Sequence, residues 1–233
     1  GFKNNETSSV VTGTPNIFTD ATTVSNIGSY TITAAENNLS ATNYSFAYVN
    51  GSLTINKATL TVTANNQSRV YGDNNPTLTY AITGFKNNET SSVVSGIPTI
   101  STTATDVSNV GNYTITPAAN NLSATNYQFS YVNGSLTITK ATLIVTGSTT
   151  NVTYNGLTQT NNNATITGNK GSDTFNISGY ATGLNAGTYS ETLSVSSSAL
   201  TNYNVTINNG SLVIGKATLT ISATGGGGAH GCQ

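Results

Sequence analysis

The sequence predicts a mainly β protein made of tandem small β-domains that are joined as beads on a string into a rod. Three observations support this prediction: a repeat of 83 residues, runs in which apolar and polar residues alternate, and an unusual polar composition. Of the 233 residues, 44 are Thr, 33 are Asn and 26 are Ser, whereas charged residues make up only 6%. Because Cys232 is the single cysteine, no internal disulfide can form, and stability must come from packing.

The repeat defines the predicted domains. The stretch that begins at Gly1 returns at Gly84, and only 13 of 60 positions differ between residues 1–60 and 84–143. A third and more diverged copy follows, since Lys57, Lys140 and Lys216 are equivalent, with spacings of 83 and 76. We therefore predict four segments. They are an incomplete first repeat at 1–56 that lacks its opening strands, a complete second repeat at 57–139, a diverged third repeat at 140–222, and a flexible Gly-rich tail at 223–233 that we interpret as artificially appended.

Apolar residues at every second position mark the strands within one copy. Thr and Ser fill the alternate positions, which is the pattern of a strand with one face buried. In chain order these apolar residues are Leu60 and Val62, Tyr113 and Ile115, Tyr127, Phe129 and Tyr131, and Leu136 and Ile138. A copy of about six strands is a complete small β-domain, which favours separate beads over a solenoid.

Turn and helix signals complete each copy. An Asn-Gly pair tolerates the positive φ angles of a type I′ turn, so we expect a tight β-hairpin at 50–51, 133–134 and 209–210. Residues 70–80 are predicted to form a strand, a turn and another strand. Residues 88–94, with the sequence NETSSVV, are the single hint of a helix. Each bead is therefore either an immunoglobulin-like sandwich or a β-grasp-like fold with one short helix.

The boundaries between copies predict a stiff rod. The closing strand of one copy is separated from the next Lys by a single residue, which leaves little freedom between neighbours. Because charges are few, we expect the extension of the rod to depend little on salt. The first repeat should expose unpaired strand edges and apolar surface, so either the sequence is a piece cut in the frame of the repeat or a neighbouring chain supplies the missing strands.

Composition excludes several classes of function. A net charge of −1 without a basic cluster excludes nucleic-acid binding. No apolar run approaches the ~20 residues of a membrane helix, so membrane insertion is not expected. The single histidine, His230, lies in the tail, so we expect no enzyme and no cofactor.

An ordered set of motifs carries a family resemblance. It comprises KATLTVTA at 57–64, YG at 71–72 with NP at 75–76, GF at 84–85, G-x-Y-x-I at 111–115, LSATNY at 122–127 and YVNGSLTI at 131–138. The chain resembles the bacterial MBG domain of the YGX type, which occurs in tandem arrays in very long secreted surface proteins. The third copy departs from the pattern, since Tyr154-Asn155-Gly156 replaces YG and no Pro follows.

The resemblance implies a place and a role. It implies a secreted protein of the bacterial cell surface, acting as a structural stalk or repeat region of an adhesin, such as the gliding-motility adhesins of the Bacteroidota. The main alternative is an adhesive module in which the repeats themselves bind glycans or neighbouring surface proteins. A second alternative is a self-assembling filament, with association through the incomplete first repeat.

Three sets of residues could carry chemistry. Lys57, Lys140 and Lys216 are candidates for an intramolecular crosslink to an Asn of the closing hairpin, Asn133 or Asn209, although no acid recurs at one position in all three copies. Asp73-Asn74-Asn75 could offer oxygen ligands to Ca²⁺, but a turn in which these side chains bond their own backbone is the simpler interpretation. His230 and Cys232 could bind a metal ion weakly, against the simpler reading of a disordered tail.

Overall fold

The computed structural model describes residues 1–223 and Gly225. In this part of the chain it is built from strands and three 3₁₀ turns. The first ten strands are β1 (Asn16–Phe18), β2 (Gly28–Ala35), β3 (Gly51–Ile55), β4 (Ala58–Ala64), β5 (Gln67–Val70), β6 (Tyr80–Thr83), β7 (Thr99–Thr102), β8 (Gly111–Ala118), β9 (Tyr127–Val132) and β10 (Gly134–Thr139). The next ten are β11 (Ala141–Gly147), β12 (Thr149–Thr153), β13 (Gln159–Thr160), β14 (Ala164–Thr167), β15 (Asn176–Ser178), β16 (Thr182–Gly183), β17 (Gly187–Ser190), β18 (Ser194–Ser196), β19 (Tyr203–Asn208) and β20 (Ser211–Gly215). The mainly β prediction is confirmed.

The chain forms two compact units. Unit 1 comprises Gly1–Gln67, Pro76–Thr103 and Tyr113–Leu136, and unit 2 comprises Ser68–Asn75, Ala104–Asn112 and the described residues from Thr137 onward. Strands β5, β8 and β10 have residues in both units. The predicted repeat boundaries remain a separate, sequence-based description of the chain.

Unit 1 contains two three-stranded sheets. One has the order β1-β2-β3, and the other has the order β6-β4-β9. The central strand β4 runs antiparallel to β6 and parallel to β9, with Ala58 opposite Tyr127 and Thr63 opposite Val132. In addition, β7 pairs antiparallel with β8, with Thr99 opposite Ala118.

Unit 2 repeats the same plan in the third copy. Its sheets have the orders β14-β11-β19 and β12-β20-β17, and two short pairs join β13 to β16 and β15 to β18. Here β11 runs parallel to β19, with Ala141 opposite Tyr203 and Thr146 opposite Asn208. In both units, therefore, the opening strand of a copy pairs in parallel with the strand that begins at the tyrosine of its Asn-Tyr pair, Tyr127 or Tyr203.

The cores follow the predicted alternation. Leu60 and Val62 on β4 are fully buried, as are Leu143 and Val145 on β11, whereas Thr59 and Thr142, one residue before each pair, point to the other face and are exposed. Tyr127 packs with Leu60 in the core of unit 1. Burying such a side chain contributes about 1.5–3 kcal/mol, so these alternating residues are the main source of stability.

The Asn-Gly hairpin prediction is wrong. Strands β9 and β10, which flank residues 133–134, belong to different sheets, and so do β19 and β20. No Asn or Gly of the three pairs has a positive φ angle. Glycine is required for another reason: a Cβ on Gly134 would lie 2.5 Å from the carbonyl oxygen of Ala64. The pair marks the point where the chain crosses from one sheet to the other.

The predicted helix is a single 3₁₀ turn. It spans Ser91–Val93, and the side chain of Thr90 accepts a hydrogen bond from the Ser92 amide. The first copy has the same turn at Ser8–Val10, capped by Thr7. The described residues contain no α-helix. This 3₁₀ turn therefore takes the place of the short helix that the β-grasp-like alternative predicts. No helix in residues 1–223 and 225 is long and apolar enough to cross a membrane.

Candidate functional site

A tyrosine–acid pair recurs in all three copies. The hydroxyl of Tyr127 donates to the carboxylate of Glu89, and the hydroxyl of Tyr44 donates to Glu6 in the same way. In the third copy the Tyr203 hydroxyl donates to Asp173 at 2.6 Å. Each tyrosine oxygen also accepts a backbone N–H at 2.9 Å, from the Lys three residues before the acid. The expectation that no acid recurs in all three copies is therefore wrong.

These pairs keep the tyrosines protonated. Hydrogen bonding to the neighbouring carboxylate is the largest cause that raises the pKa of Tyr44 and Tyr127 above the usual value. Burial, followed by the hydrogen bond to Asp173, raises the pKa of Tyr203 to about 12. The hydroxyl therefore acts as a permanent donor at physiological pH and fixes the turn that carries the acid.

An asparagine directly before a core tyrosine, Asn126 or Asn202, forms hydrogen bonds with the preceding copy. In unit 1, Asn126 Oδ1 accepts from the Ile27 amide at 3.1 Å, and its Nδ2 donates to Asn26 Oδ1 at 2.8 Å. In unit 2, Asn202 makes the same two bonds, to the Val110 amide and to Asn109 Oδ1, both at 2.9 Å. We call this pair of hydrogen bonds the amide clamp.

A local turn presents the other half of the clamp. The Thr22 amide donates to Ser25 Oγ at 2.8 Å, and the Thr105 amide donates to Ser108 Oγ at 2.9 Å. Such side chain–backbone bonds fix the conformation of a T-x-x-S turn. The following residue is Asn in both cases, so the turn positions Asn26 in unit 1 and the equivalent Asn in unit 2.

A cleft lies beside each clamp. In unit 1 it has a volume of about 280 Å³, and in unit 2 about 370 Å³. In unit 1 the side-chain amide of Asn87 (Nδ2) donates to the backbone carbonyl of Thr23 at 3.0 Å across the cleft. In unit 2, Lys170 Nζ lies 2.9 Å from Asp73 Oδ1. The lining of the unit 1 cleft is mixed: polar side chains such as Ser25, Asn87 and Asn126 stand beside apolar ones such as Ile27 and Ile55.

The comparison with known families assigns the chain. The family model of the MBG domain (YGX type) matches residues 1–54 and 60–137, which is more than half of the sequence. The chain belongs to the MBG domain family. The predicted resemblance is thus confirmed, and the matched residues include the Tyr44–Glu6 and Tyr127–Glu89 pairs and the amide clamp of Asn126. No curated protein matches the chain.

The three candidate crosslink lysines are equivalent positions of the sequence repeat. Lys57, Lys140 and Lys216 are all exposed. Because β4 runs parallel to β9, Lys57 and Asn133 lie at opposite ends of a strand pair that is about 20 Å long. In the third repeat β11 pairs with β19 in the same register, so Lys140 and Asn209 also lie at opposite ends of their strand pair. The structure does not bring either lysine to the asparagine proposed for it, and a crosslink to another acceptor stays a prediction.

The residues considered for Ca²⁺ have protein partners. Asp73 pairs with Lys170, and Asn75 Oδ1 accepts from Nε of the buried Arg69 at 2.8 Å. The Asn75 amide donates to Asp106 Oδ1 at 2.8 Å. These side chains therefore bind other segments of unit 2 rather than their own backbone, which corrects the predicted self-bonded turn.

No group that could hold a metal ion occurs in the part of the chain that the structure describes. There, no three His, Cys, Asp or Glu side chains come together. His230 and Cys232, the weak candidate pair, lie outside the described residues.

The sequence analysis missed a buried polar pair in the third copy. Asn161 and Glu191 are both buried, and Asn161 Nδ2 donates to Glu191 Oε1 at 3.0 Å. The Gly210 amide donates to Glu191 Oε2 at 2.8 Å. A Cβ on Gly147 would lie 1.8 Å from that oxygen, so glycine is needed to admit the carboxylate. The sequence signal is a Gly at 147 where the second repeat has Ala64, together with an acid, Glu191, where the second repeat has the apolar Ile115.

Proposed function

We propose that this MBG array is a structural stalk region of a secreted bacterial surface adhesin that holds a binding tip away from the cell. The observation that carries the proposal is the amide clamp. Asn126 and Asn202 join successive repeats through the same two hydrogen bonds to equivalent partners. Junctions specified by the same contacts suit a protein whose role depends on the placement of its repeats.

The surface chemistry supports a role outside the cell that does not depend on charge. Hydroxyl and amide side chains make up most of the polar residues, and charged residues make up only 6% of the chain. Interactions between uncharged groups are not screened by ions. A stalk of this composition keeps its geometry when ionic strength varies.

Small-angle scattering on the whole chain tests the stalk proposal. We expect an elongated particle for the wild type and a broader distribution of end-to-end distances for Asn126→Ala and Asn202→Ala. Asn43→Ala is the matched control, because Asn43 is the equivalent residue of the first repeat and makes no hydrogen bond within residues 1–223 and 225. A compact wild-type particle, or clamp variants that scatter like Asn43→Ala, would contradict the proposal.

The cleft of unit 1 favours one alternative, an adhesive module that binds glycans. Its hydroxyl and amide lining has the hydrogen-bonding capacity that neutral sugars need. A glycan array with the whole chain tests this alternative. Saturable binding that is lost in Asn87→Ala and retained in Asn43→Ala would support it, and the absence of any binding glycan would favour the stalk.

A further inference from the structure

Asn50, Asn133 and Asn209 occupy equivalent positions of the repeat, shortly before the last strand of each copy. Each is followed by Gly and Ser, so the three sites share the sequence Asn-Gly-Ser. None of the three asparagines lies within a strand. Because the local sequence is the same, any difference in their reactivity must come from the folded surroundings.

A hydrogen bond holds the side chain in two of the three copies. Asn50 Oδ1 accepts from the Ala34 amide at 3.2 Å, and Asn209 Oδ1 accepts from the Leu193 amide at 2.9 Å. In both cases the donor lies 16 residues earlier in the sequence. The bond fixes the orientation of the carboxamide in the first and third copies.

The second repeat cannot form this bond. The residue 16 positions before Asn133 is Pro117, the equivalent of Ala34 and Leu193. Proline has no main-chain N–H to donate. Within residues 1–223 and 225 the Asn133 side chain makes no hydrogen bond, and it is exposed to solvent. Its carboxamide is therefore free to turn, unlike those of its two equivalents.

The third copy also engages the glycine nitrogen. The Gly210 amide donates to Glu191 Oε2 at 2.8 Å, so both groups of the Asn209-Gly210 pair have partners. A fourth Asn-Gly pair, at 155–156, lies outside this set of equivalents, and Asn155 Oδ1 accepts from the Leu157 amide at 2.9 Å.

We propose that Asn133 is a site of spontaneous deamidation, which in the folded chain converts faster than Asn50 and Asn209. The main-chain nitrogen of Gly134 forms a bond to Cγ of Asn133, and the bond from Cγ to Nδ2 breaks. The proton of the Gly134 N–H leaves with Nδ2 as ammonia. Water then opens the resulting succinimide ring to an aspartate or an isoaspartate. Glycine favours ring closure because it has no Cβ to restrict the main chain.

The position of Asn133 gives this conversion a structural consequence. The chain crosses there from one sheet to the other, and a Cβ on Gly134 would lie 2.5 Å from the Ala64 carbonyl oxygen and 3.0 Å from that of Asn65. Isoaspartate adds a methylene group to the main chain directly before Gly134. Because closely packed atoms tolerate an added group poorly, the product should destabilise the second repeat.

Peptide mapping of the folded whole chain after incubation at mildly alkaline pH tests the proposal. Cleavage after lysine and arginine places the three sites on separate peptides, so one sample reports all of them. Asn133 should convert roughly twofold to tenfold faster than Asn50 or Asn209, the factor that corresponds to one hydrogen bond. Chemical denaturation should show that the incubated chain is less stable than the fresh one.

Two substitutions exchange the decisive residue between the first and second repeats. Pro117→Ala supplies the missing N–H and should slow conversion in the second repeat to the rate of the first. Ala34→Pro removes the N–H and should accelerate conversion in the first repeat. Ala34 lies opposite Ile17 and Pro117 lies opposite Ile100 in the same strand pairing, so each variant introduces a residue that the equivalent strand already accommodates.

The unfolded chain is the remaining control. In denaturant the three sites should convert at similar rates, because they share the same local sequence. Equal rates in the folded chain, a Pro117→Ala variant that converts as fast as the wild type, or an advantage of Asn133 that persists in denaturant overturns the proposal. An incubated chain that keeps its full stability overturns the structural consequence. The proposal goes beyond the stalk role, and none of these outcomes changes the scattering test of that role.

Discussion

Glu191 occupies, in the third repeat, the core position that Ile115 occupies in the second. Both are buried, and each lies four residues after the glycine that begins a strand, Gly187 of β17 or Gly111 of β8; Glu191 directly follows β17. Asn161 and the Gly210 amide donate to the Glu191 carboxylate. A buried carboxylate with donors on both oxygens is tolerated because its hydrogen bonds are made within the protein.

Replacing Glu191 tests this polar core. Glu191→Ala should lower the free energy of unfolding of the third repeat by about 1–3 kcal/mol, because the Gly210 amide loses its acceptor. Chemical denaturation measures the loss. Ser190→Ala, on the neighbouring strand position, serves as a control, and an equal effect of both substitutions would contradict the assigned role.

The effect of a substitution at Gly147 should depend on the residue at position 191. Gly147→Ala alone should destabilise strongly, because its Cβ would meet the carboxylate oxygen. Combined with Glu191→Ile, which gives both positions the residues of the second repeat, the buried Ala64 and Ile115, the same substitution should be tolerated. A double-mutant cycle measured by denaturation gives the coupling, and simple additivity would rule out the proposed contact.

Gly134→Ala should destabilise the second repeat, whereas the equivalent substitution Gly51→Ala should leave the stability of the first repeat unchanged. A Cβ on Gly134 would lie 2.5 Å from the Ala64 carbonyl, whereas one on Gly51 would lie at an ordinary 3.6 Å from Ile32. The expected cost at Gly134 is about 1–3 kcal/mol. The midpoint of thermal or chemical unfolding measures both, and equal effects would show that the close approach is not what requires glycine.

Tyr203 should make the chain sensitive to alkali. Its pKa is raised to about 12 in the folded chain, above the ordinary value of 10.0. The stabilisation from its protonated hydroxyl is therefore complete below pH 10 and is lost as the pH rises towards 12. Tyr203→Phe should be less stable at pH 8 and should lose less further stability above pH 10 than the wild type. Denaturation at several pH values measures this, with the exposed Tyr80→Phe as control; parallel pH curves for wild type and Tyr203→Phe would contradict it.

Intact mass tests the lysine crosslink. A Lys–Asn bond removes one ammonia from the chain. Since Lys57 and Asn133 lie at opposite ends of paired strands, we expect the mass of the unmodified sequence. A mass lower by one ammonia per bond would show that a lysine reaches a different acceptor, which peptide mapping would identify.

The strands were predictable because their signal is local. Alternation at Leu60 and Val62 reports a strand with one buried face, and the structure buries both side chains. The hairpin at residues 133–134 failed because the constraint on Gly134 is not local: it comes from the carbonyl of Ala64, far away in the sequence. No turn statistic contains that information.

The recurring acid was missed for a different reason. Glu6 and Glu89 are 83 residues apart, but Asp173 follows Glu89 by 84, one residue more than the spacing of 83 between Lys57 and Lys140, which open the two repeats. A fixed period therefore aligns Glu89 with the wrong residue in the third copy. The motif G-x-K-x-x-Glu/Asp, which begins at Gly1, Gly84 and Gly168, would have found it.

The second repeat carries both halves of this joint: Asn126 near the end of its sequence, which bonds to the repeat before it, and the T-x-x-S-Asn turn ending at Asn109, which bonds to the repeat after it. A gene duplication that copies one whole repeat therefore also copies a working joint on both sides. The array can be lengthened or shortened by recombination between near-identical copies, and no new contact has to evolve when it is.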